Sequence, residues 1–281
     1  MTKDEKLSLQ KAAVAVRKGI IESTFCAKSG HPGGSLSSAD IMTYLYFSEM
    51  RIDPADPKAE LRDRFVLSKG HCAPGLYSVL ANRGYFPVEE LKTLRHMGSR
   101  LQGHPNMNLV PGVEMSTGSL GQGVSTAVGM ALGAKKQGKP IRVYTLLGDG
   151  ESEEGQVWEA MMSSAHFGLD NLVVMIDNNN LQIDGPVTKV MSPYPLDEKL
   201  AAFGLFVQVV DGHDFDAIEA AFEKAKSEKG RPSAIIFKTV KGKGVSYMEN
   251  QVGWHGKAPN EEQYHIAMQE LDAAMAELEA E

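Results

Sequence analysis

Cysteine is nearly absent: only Cys26 and Cys72 occur in 281 residues, without the spacing of a disulfide framework or a metal site. Reduced, buried thiols in a cytoplasmic protein are the expectation. Also missing is any apolar run near the ~18 residues that a membrane span needs. The N-terminal stretch Met1-Thr2-Lys3-Asp4-Glu5-Lys6 has no apolar core of the kind a secretory signal requires. Positive charge is not in excess, since 29 Lys and Arg face 36 Asp and Glu, a net −7 with a pI of about 5.7. Nucleic acid is therefore not expected as a partner, nor is a membrane. There is no internal repeat, low-complexity tract or convincing linker, so residues 1–281 are expected to form one domain. The 42% apolar and 23% charged content is that of an ordinary globular protein with a substantial core.

The most informative stretch is Gly148-Asp149-Gly150, followed after a helix and a strand by Asp177-Asn178-Asn179-Asn180. Each ends an apolar run, Ile141–Leu147 and Leu172–Ile176, of the kind that forms a buried parallel strand. Adjacent parallel strands would deliver Asp149 and Asn179 to one sheet edge, where open α/β folds bind ligands. A carboxylate, an amide oxygen and flexible backbone carbonyls form a hard-oxygen set. That set suits Mg²⁺, with Ca²⁺ or Mn²⁺ as substitutes, carried on a phosphate ligand. Gly148 and Gly150 let backbone N–H groups approach a diphosphate. A GDG triplet alone is ordinarily a tight turn; the spacing of 27 residues between Gly150 and Asn178 is what makes the pair specific.

Elsewhere the chain alternates helices and strands. Residues 4–27 predict a helix with Leu9, Ala13, Val16 and Ile20 on one face. Ser29-Gly30-His31-Pro32-Gly33-Gly34 reads as a turn too rich in Gly and Pro for regular structure. A helix is expected from Ser38 to Met50, its apolar side made by Ile41, Tyr44, Leu45 and Phe47. Phe65–Ser68 reads as a short central strand ending in the polar loop Lys69-Gly70-His71. Helices are expected over Pro74–Ala81 and Val88–Leu94, and a long loop over Gly98–Gly112 carries His104. The helix of small residues from Ser125 to Gly133 suits close packing, either internal or at a subunit interface. Phe206–Val210 and Ser233–Phe237 are further strands around a helix from Asp214 to Lys226. Lys241-Gly242-Lys243-Gly244 reads as a surface loop able to touch phosphate. A last helix begins at Asn260 with Gln263 in capping-box position, its stripe formed by Tyr264, Met268, Leu271, Met275 and Leu278. The pattern predicts a doubly wound, mainly parallel α/β sheet with helices on both faces.

The motifs Ser29-Gly30-His31-Pro32-Gly33, Ser68-Lys69-Gly70-His71, Gly103-His104-Pro105 and Ser119-Leu120-Gly121-Gln122-Gly123 resemble those of transketolases, in order and approximate spacing. So do Gly148-Asp149-Gly150 with Glu154-Gly155, Asp211-Gly212-His213-Asp214 and His255-Gly256-Lys257-Ala258-Pro259. The resemblance covers essentially the whole chain but only the N-terminal third to half of an ordinary transketolase. It implies the thiamine diphosphate-binding fold. Asp149 and Asn179 would bind the metal through side chains and Leu181 through its carbonyl. Gly150 would donate to the diphosphate, with His71, Gly118, Leu120, Asp149, Glu154, Asn179 and His255 also at the cofactor. Glu154 would join a carboxylate network at a subunit interface. His31, His104 and His255 would act on the sugar, since imidazole shuttles protons near neutral pH. Ser119 stands where many transketolases have Pro, and Lys241 and Lys243 where more apolar residues are expected.

What the resemblance implies is the N-terminal subunit of a two-chain transketolase. Its C-terminal partner would carry the pyrimidine-binding and C-terminal domains, in an α2β2 assembly that self-associates through the cofactor domain. The complex would transfer a two-carbon ketol unit between sugars or sugar phosphates. Three alternatives remain from the residues: a 1-deoxyxylulose-5-phosphate synthase-like subunit, the alpha chain of a 2-oxo acid dehydrogenase, and a non-catalytic protein that keeps the fold. The four histidine motifs favour transketolase over each.

Overall fold

A computed structural model describes residues 1–281. The chain opens with α1 (Lys3–Ala27), α2 (Pro32–Ser37) and α3 (Ala39–Tyr44), followed by strand β1 (Arg64–Leu67) and α4 (Ala73–Arg83). Next come α5 (Gln122–Lys136), β2 (Val143–Gly148), α6 (Gly155–His166) and β3 (Leu172–Asn178). A two-stranded hairpin, β4 (Leu181–Gln182) and β5 (Gly185–Pro186), precedes the short helices α7 (Val187–Val190) and α8 (Leu196–Ala202). Then β6 (Phe206–Asp211), α9 (Phe215–Ser227), β7 (Ser233–Lys238) and α10 (Glu261–Glu279) complete the chain. The main sheet has the order β1-β2-β3-β7-β6, and every pairing in it is parallel.

Strand periodicity divides the core in two. Phe65, Leu67, Tyr144, Leu146, Val173, Met175, Ile235 and Phe237 point to the face covered by α1, α3, α4, α9 and α10. Val66, Val143, Leu147, Val174, Ile176, Ala234 and Ile236 point to the face covered by α5, α6 and α8. All seven residues of β3 are buried, as expected of a central parallel strand covered on both sides. The expected doubly wound α/β sheet is therefore what forms. α10 carries its predicted capping box, the Asn260 side chain accepting from Gln263 N–H. No helix is long and apolar enough to cross a membrane.

Three local expectations fail, each for a physical reason. Pro32-Gly33-Gly34 is the first turn of a buried helix rather than irregular chain. Proline is tolerated at a helix start, where its missing N–H has no partner to lose. The glycines there serve close packing: a Cβ at Gly33 would lie 2.7 Å from the Trp254 carbonyl, and one at Gly34 2.8 Å from Cys72 Sγ. β1 lies at the edge of the sheet, not its centre. Its apolar run arises because helices still cover both of its faces. Beyond α3 the helix widens into a π turn over Leu45–Glu49, which shifts the buried face. Tyr46 is buried and Phe47 is exposed, the reverse of the periodicity expected.

Candidate active site

The C-terminal ends of β1, β2, β3 and β7 meet the start of α2 and the segment around His255 at a cavity of about 250 Å³. Its wall includes His31, Lys69, His71, Gly118, Leu120, Gly148, Asp149, Gly150, Asp177, Asn179, Leu181, Lys241 and His255. β2 and β3 are adjacent, with Gly148 in register with Asp177. The two loops that carry Asp149 and Asn179 thus leave the sheet side by side.

Two buried carboxylates occupy this edge in different electrostatic states. Asp177 accepts from Lys69 Nζ at 2.6 Å, Ser37 Oγ at 2.5 Å, Asn179 Nδ2 at 3.1 Å and Thr239 Oγ1. Burial alone would push its carboxyl up, but the Lys69 charge beside it holds it below the usual carboxylate range. Asp149 accepts only from neutral groups: Gly150 N–H at 2.8 Å, Asn178 Nδ2 at 3.0 Å and Asn180 N–H at 2.5 Å. Burial, reinforced by the charge of Asp177, pushes Asp149 up to about 6. Asn180 turns the loop around the carboxylate at φ 62°, a left-handed conformation that asparagine tolerates.

Asn179 is held at both ends of its amide, donating to Asp177 and accepting Leu181 N–H at 3.1 Å. The Leu181 carbonyl, the third expected metal ligand, accepts Lys241 Nζ at 3.0 Å. A carbonyl has a second lone pair for a further partner. No group of three or more His, Cys, Asp or Glu side chains is arranged to hold a metal alone. As metal ligands, Asp149, Asn179 and the Leu181 carbonyl would supply only part of an octahedral shell, which phosphate oxygens and water would complete.

The imidazoles converge. His31 lies 5.2 Å from His71 and 5.5 Å from His255, and His71 lies 5.2 Å from His255, between ring centroids. Burial lowers His31 to about 4, helped by His71, and His71 to about 4, helped by Lys69. Burial and then Lys241 lower His255 to about 3. All three rings are neutral at pH 7, so each carries one N–H and one lone pair. Lys241 Nζ donates to His255 Nδ1 at 2.9 Å, which leaves the ring proton on Nε2. His104 is exposed in an adjoining crevice with Thr117, Gly118 and Ser119. It packs against Gly118, where a Cβ would sit 2.9 Å from its Cδ2. Burial and Arg95 lower His104 as well.

Glu154 is not in the cavity wall. It is exposed at the N-cap of α6, with Gly121 packed against its side chain. The glutamate that does line the cavity, beside Asp149 and Asp177, is Glu151, which accepts Ser68 Oγ at 2.5 Å, Gly121 N–H at 3.0 Å and Gly148 N–H at 3.1 Å. Sequence reasoning passes over Glu151, although it directly follows the GDG triplet. It also misses Asp177, which begins the asparagine run, and Arg95, whose charge reaches His31 and His104. Lys241 corrects an expectation: it is 1% exposed, not a surface lysine, and burial lowers it to about 8. Lys243 is the half-exposed member of that loop, near Glu249.

The donor set fits a metal-bound diphosphate. Asp149 is a buried carboxylate whose own partners are all neutral, and Lys241 is a buried ammonium whose hydrogen bonds go to neutral acceptors. His31 Nδ1 is buried without a partner. A cation set against Asp149 and an anion set against Lys241 would each relieve a buried charge. Parallel sheet, hard-oxygen set and clustered neutral imidazoles together define a thiamine diphosphate-binding α/β domain.

Comparison with known proteins makes the assignment specific. Residues 8–276 match the family model described as transketolase, thiamine diphosphate binding domain, and the chain belongs to that family. It is 45% identical over 269 residues to the 6-deoxy-6-sulfo-D-fructose transketolase subunit of Clostridium sp. strain MSTE9, covering 96% of this chain and 98% of that one. It is 43% identical over 265 residues to an apulose-4-phosphate transketolase subunit of Phocaeicola vulgatus, covering 94% of each. Among solved structures, transketolase from Campylobacter jejuni superposes with a TM-score of 0.89 at 32% identity, covering 99% of this chain and 46% of that one. The chain thus spans less than half the length of the single-chain transketolase it superposes on.

The Asp177–Lys69 pair supports a stability prediction. Asp177→Asn keeps the shape but leaves Lys69 buried without a counter-charge. Breaking a buried pair this way costs about 3–5 kcal/mol. The denaturant midpoint should fall accordingly in equilibrium unfolding; an unchanged midpoint would show that Lys69 finds water or another partner.

Proposed function

We propose that this chain is the N-terminal, diphosphate-binding subunit of a two-chain transketolase, moving a two-carbon ketol unit from a ketose to an aldose. The observation that carries this reading is the cavity in which Asp149, Asn179 and Lys241 face three neutral imidazoles. Both of these relatives, covered over nearly their full lengths, are named as transketolase subunits, which supports a partner chain. One is named for a sulfonated sugar and the other for a phosphorylated one. Similar first subunits with differently named substrates fit a division of labour in which the partner recognises the sugar's terminal group.

In this reading Asp149, Asn179 and the Leu181 carbonyl would hold Mg²⁺ and Lys241 the diphosphate, with the Gly150 N–H, which donates to Asp149 Oδ1 here, turning to a phosphate oxygen once the metal takes that carboxylate. When bound, thiamine diphosphate supplies the electron sink needed to break a carbon–carbon bond beside a carbonyl. His31, His71 and His255 surround the reacting end, where their neutral rings hydrogen-bond sugar hydroxyls; their lowered basicity means that His31 or His71 holds a proton only transiently, and His255, whose Nδ1 is taken by Lys241, donates through Nε2. His104, at the rim, binds a hydroxyl farther along the substrate. Buried walls and tight glycine contacts exclude water there, which strengthens each hydrogen bond.

The partner surface we assign is the outer face of α5 with the start of α6. Val124, Ala127, Val128, Ala131 and Ala134 bury one side of α5. A Cβ at Gly129, Gly133 or Gly155 would meet nothing within 4 Å. That open, small-residue face beside exposed Glu154 suits close approach of another chain, in an assembly of two copies of each subunit. The protein acts in the cytoplasm in this reading.

Three tests follow from these roles. Asp149→Ala removes the one carboxylate of the metal set, and titration calorimetry with Mg–thiamine diphosphate should show affinity falling by more than the roughly 10–100-fold that loss of an outer-shell partner costs. Retained wild-type affinity would move the metal elsewhere. His104→Ala and His255→Ala should melt near the wild-type temperature yet lose ketol transfer by roughly 10²-fold or more, the scale of a lost acid–base group; a large melting shift with normal turnover would make these residues structural. Finally, the purified chain should be inert alone with saturating cofactor, and active once co-expressed with a C-terminal transketolase partner, assayed across a panel of ketose donors. Full turnover by this chain alone would refute the two-chain reading.

A further inference from the structure

The Asp211-Gly212-His213-Asp214 motif lies at the end of β6, an edge strand, and contributes nothing to the cavity wall. Its histidine is nevertheless well placed. His213 Nε2 accepts the Val240 N–H at 2.9 Å, so the ring proton must sit on Nδ1, where it is donated to Asp40 Oδ2 at 2.7 Å. Asp40 also takes both arms of the Arg17 guanidinium, Nη1 at 2.9 Å and Nη2 at 2.5 Å. Arg17 Nε then donates to the Lys243 carbonyl at 3.1 Å. Between these two anchors, Gly242 N–H donates to the Gly33 carbonyl at 3.0 Å. Gly242 has φ 79°, and a Cβ there would lie 2.4 Å from the Met248 carbonyl.

The backbone on both sides of Lys241 is therefore pinned, at Val240 by His213 and at Lys243 by Arg17, with Asp40 joining the two. We propose that Arg17, Asp40 and His213 are positioning residues that hold the Val240–Lys243 segment so that the Lys241 ammonium stays inside the diphosphate cavity, against the Leu181 carbonyl and His255. The inference rests on the cavity being the diphosphate site, but the clamp itself is a property of this chain alone.

Two physical arguments support it. A lysine has four rotatable bonds and a strongly hydrated ammonium, so burial favours its escape to water unless its backbone is fixed. Arg17 and Asp40 are 7% and 5% exposed, and desolvating such a pair costs several kcal/mol per ion. Well-packed apolar residues would stabilise the fold as well or better, so the network's return is in geometry. The geometry it fixes is that of one backbone segment, whose one fully buried side chain with a charge is Lys241.

The test uses the purified full-length chain. Trace labelling with acetic anhydride reads the accessibility of each lysine. In His213→Ala, Lys241 should label at least about 10-fold faster than in wild type, while Lys69, buried to the same degree but outside the clamp, should not change. Hydrogen exchange should accelerate at Val240 and Gly242 and not in β3. His213→Gln, whose amide oxygen can take the Val240 N–H, should restore most of the protection. If His213→Ala does not fold, Arg17→Lys carries the same test, since it keeps a charge near Asp40 but loses the link to Lys243. The second arm is a double-mutant cycle on the complex reconstituted with its partner. His213→Ala should weaken Mg–thiamine diphosphate binding by about 10-fold, the lower range for an outer-shell residue, yet change it less than twofold in a Lys241→Met background. Unchanged Lys241 labelling in a folded His213→Ala protein, or full additivity in the cycle, would overturn the clamp. Failure of the wild-type complex to bind Mg–thiamine diphosphate would instead overturn the cofactor reading, and the labelling result would still decide the clamp.

Discussion

The Lys69–Asp177 ion pair is the constraint on which the site depends. Asp177 sits at the end of the central strand β3 with no exposed surface, where an unpaired carboxylate would be untenable. Its four donors come from four places: Ser37 in α2, Lys69 after β1, Asn179 after β3 and Thr239 after β7. One buried charge thereby joins the segments that form the cavity wall. It also fixes Asn179, whose amide nitrogen donates to it, so that the amide oxygen is left to the loop at Leu181. The pair is a bolt first and an electrostatic element second. The charge of Asp177 reaches Asp149, the neighbouring carboxylate without a cationic partner, and adds to burial in raising it.

Burial sets the protonation of the imidazole cluster in the same way. Three rings within 5.5 Å of one another, with Lys69 and Lys241 beside them, could not all carry charge. Desolvation is the largest cause at each histidine, and the neighbouring cations add to it. The outcome is a set of neutral hydrogen-bond donors and acceptors at pH 7, suited to holding sugar hydroxyls and to taking a proton only transiently. Lys241 fixes one tautomer outright through His255 Nδ1. Segments far apart in sequence thus agree on the proton positions of one small volume.

How much of this is legible in the sequence depends on whether the signal is local. The apolar runs before Asp149 and Asn178 are long and flanked by Gly and Asn, so adjacent parallel strands and the meeting of their loops can be read directly. Pro32-Gly33-Gly34 cannot, because Gly and Pro mark turns and close helix packing alike; only Trp254 and Cys72, distant in sequence, decide between them. Phe47 and Tyr46 exchange roles because a π turn leaves no periodic trace. Lys241 reads as a surface lysine because its burial depends on Gly33, Leu181 and His255, none of them near it in the chain. Glu151 and Glu154 are both acidic and three residues apart, and only the short helical turn over Gly150–Glu153 sends one inward and the other out. The grouping of His31, His71 and His255 is recoverable from motif resemblance, but not its 5 Å spacing.

The cavity's polar groups fall into two classes, and the difference indicates what it binds. Lys69 with Asp177 is a matched pair whose charges neutralise each other at the cavity wall, as Arg17 with Asp40 do outside it. Asp149 and Lys241 are not matched. Each is pushed toward its neutral form by burial, the acid upward and the amine downward. They line the same cavity without pairing to each other. A purely structural network would bring such opposite charges together, because both desolvation costs would then be offset by one contact. Keeping them apart sacrifices stability for a cavity that is negative on one side and positive on the other. A ligand that matches it carries a cation at one point and an anion at another, as a metal-bound diphosphate does. A simple anion would relieve Lys241 and worsen Asp149, and a bare cation would do the reverse. On the proposed reading, the separation of these two charges suits a metal and a diphosphate held jointly rather than either alone.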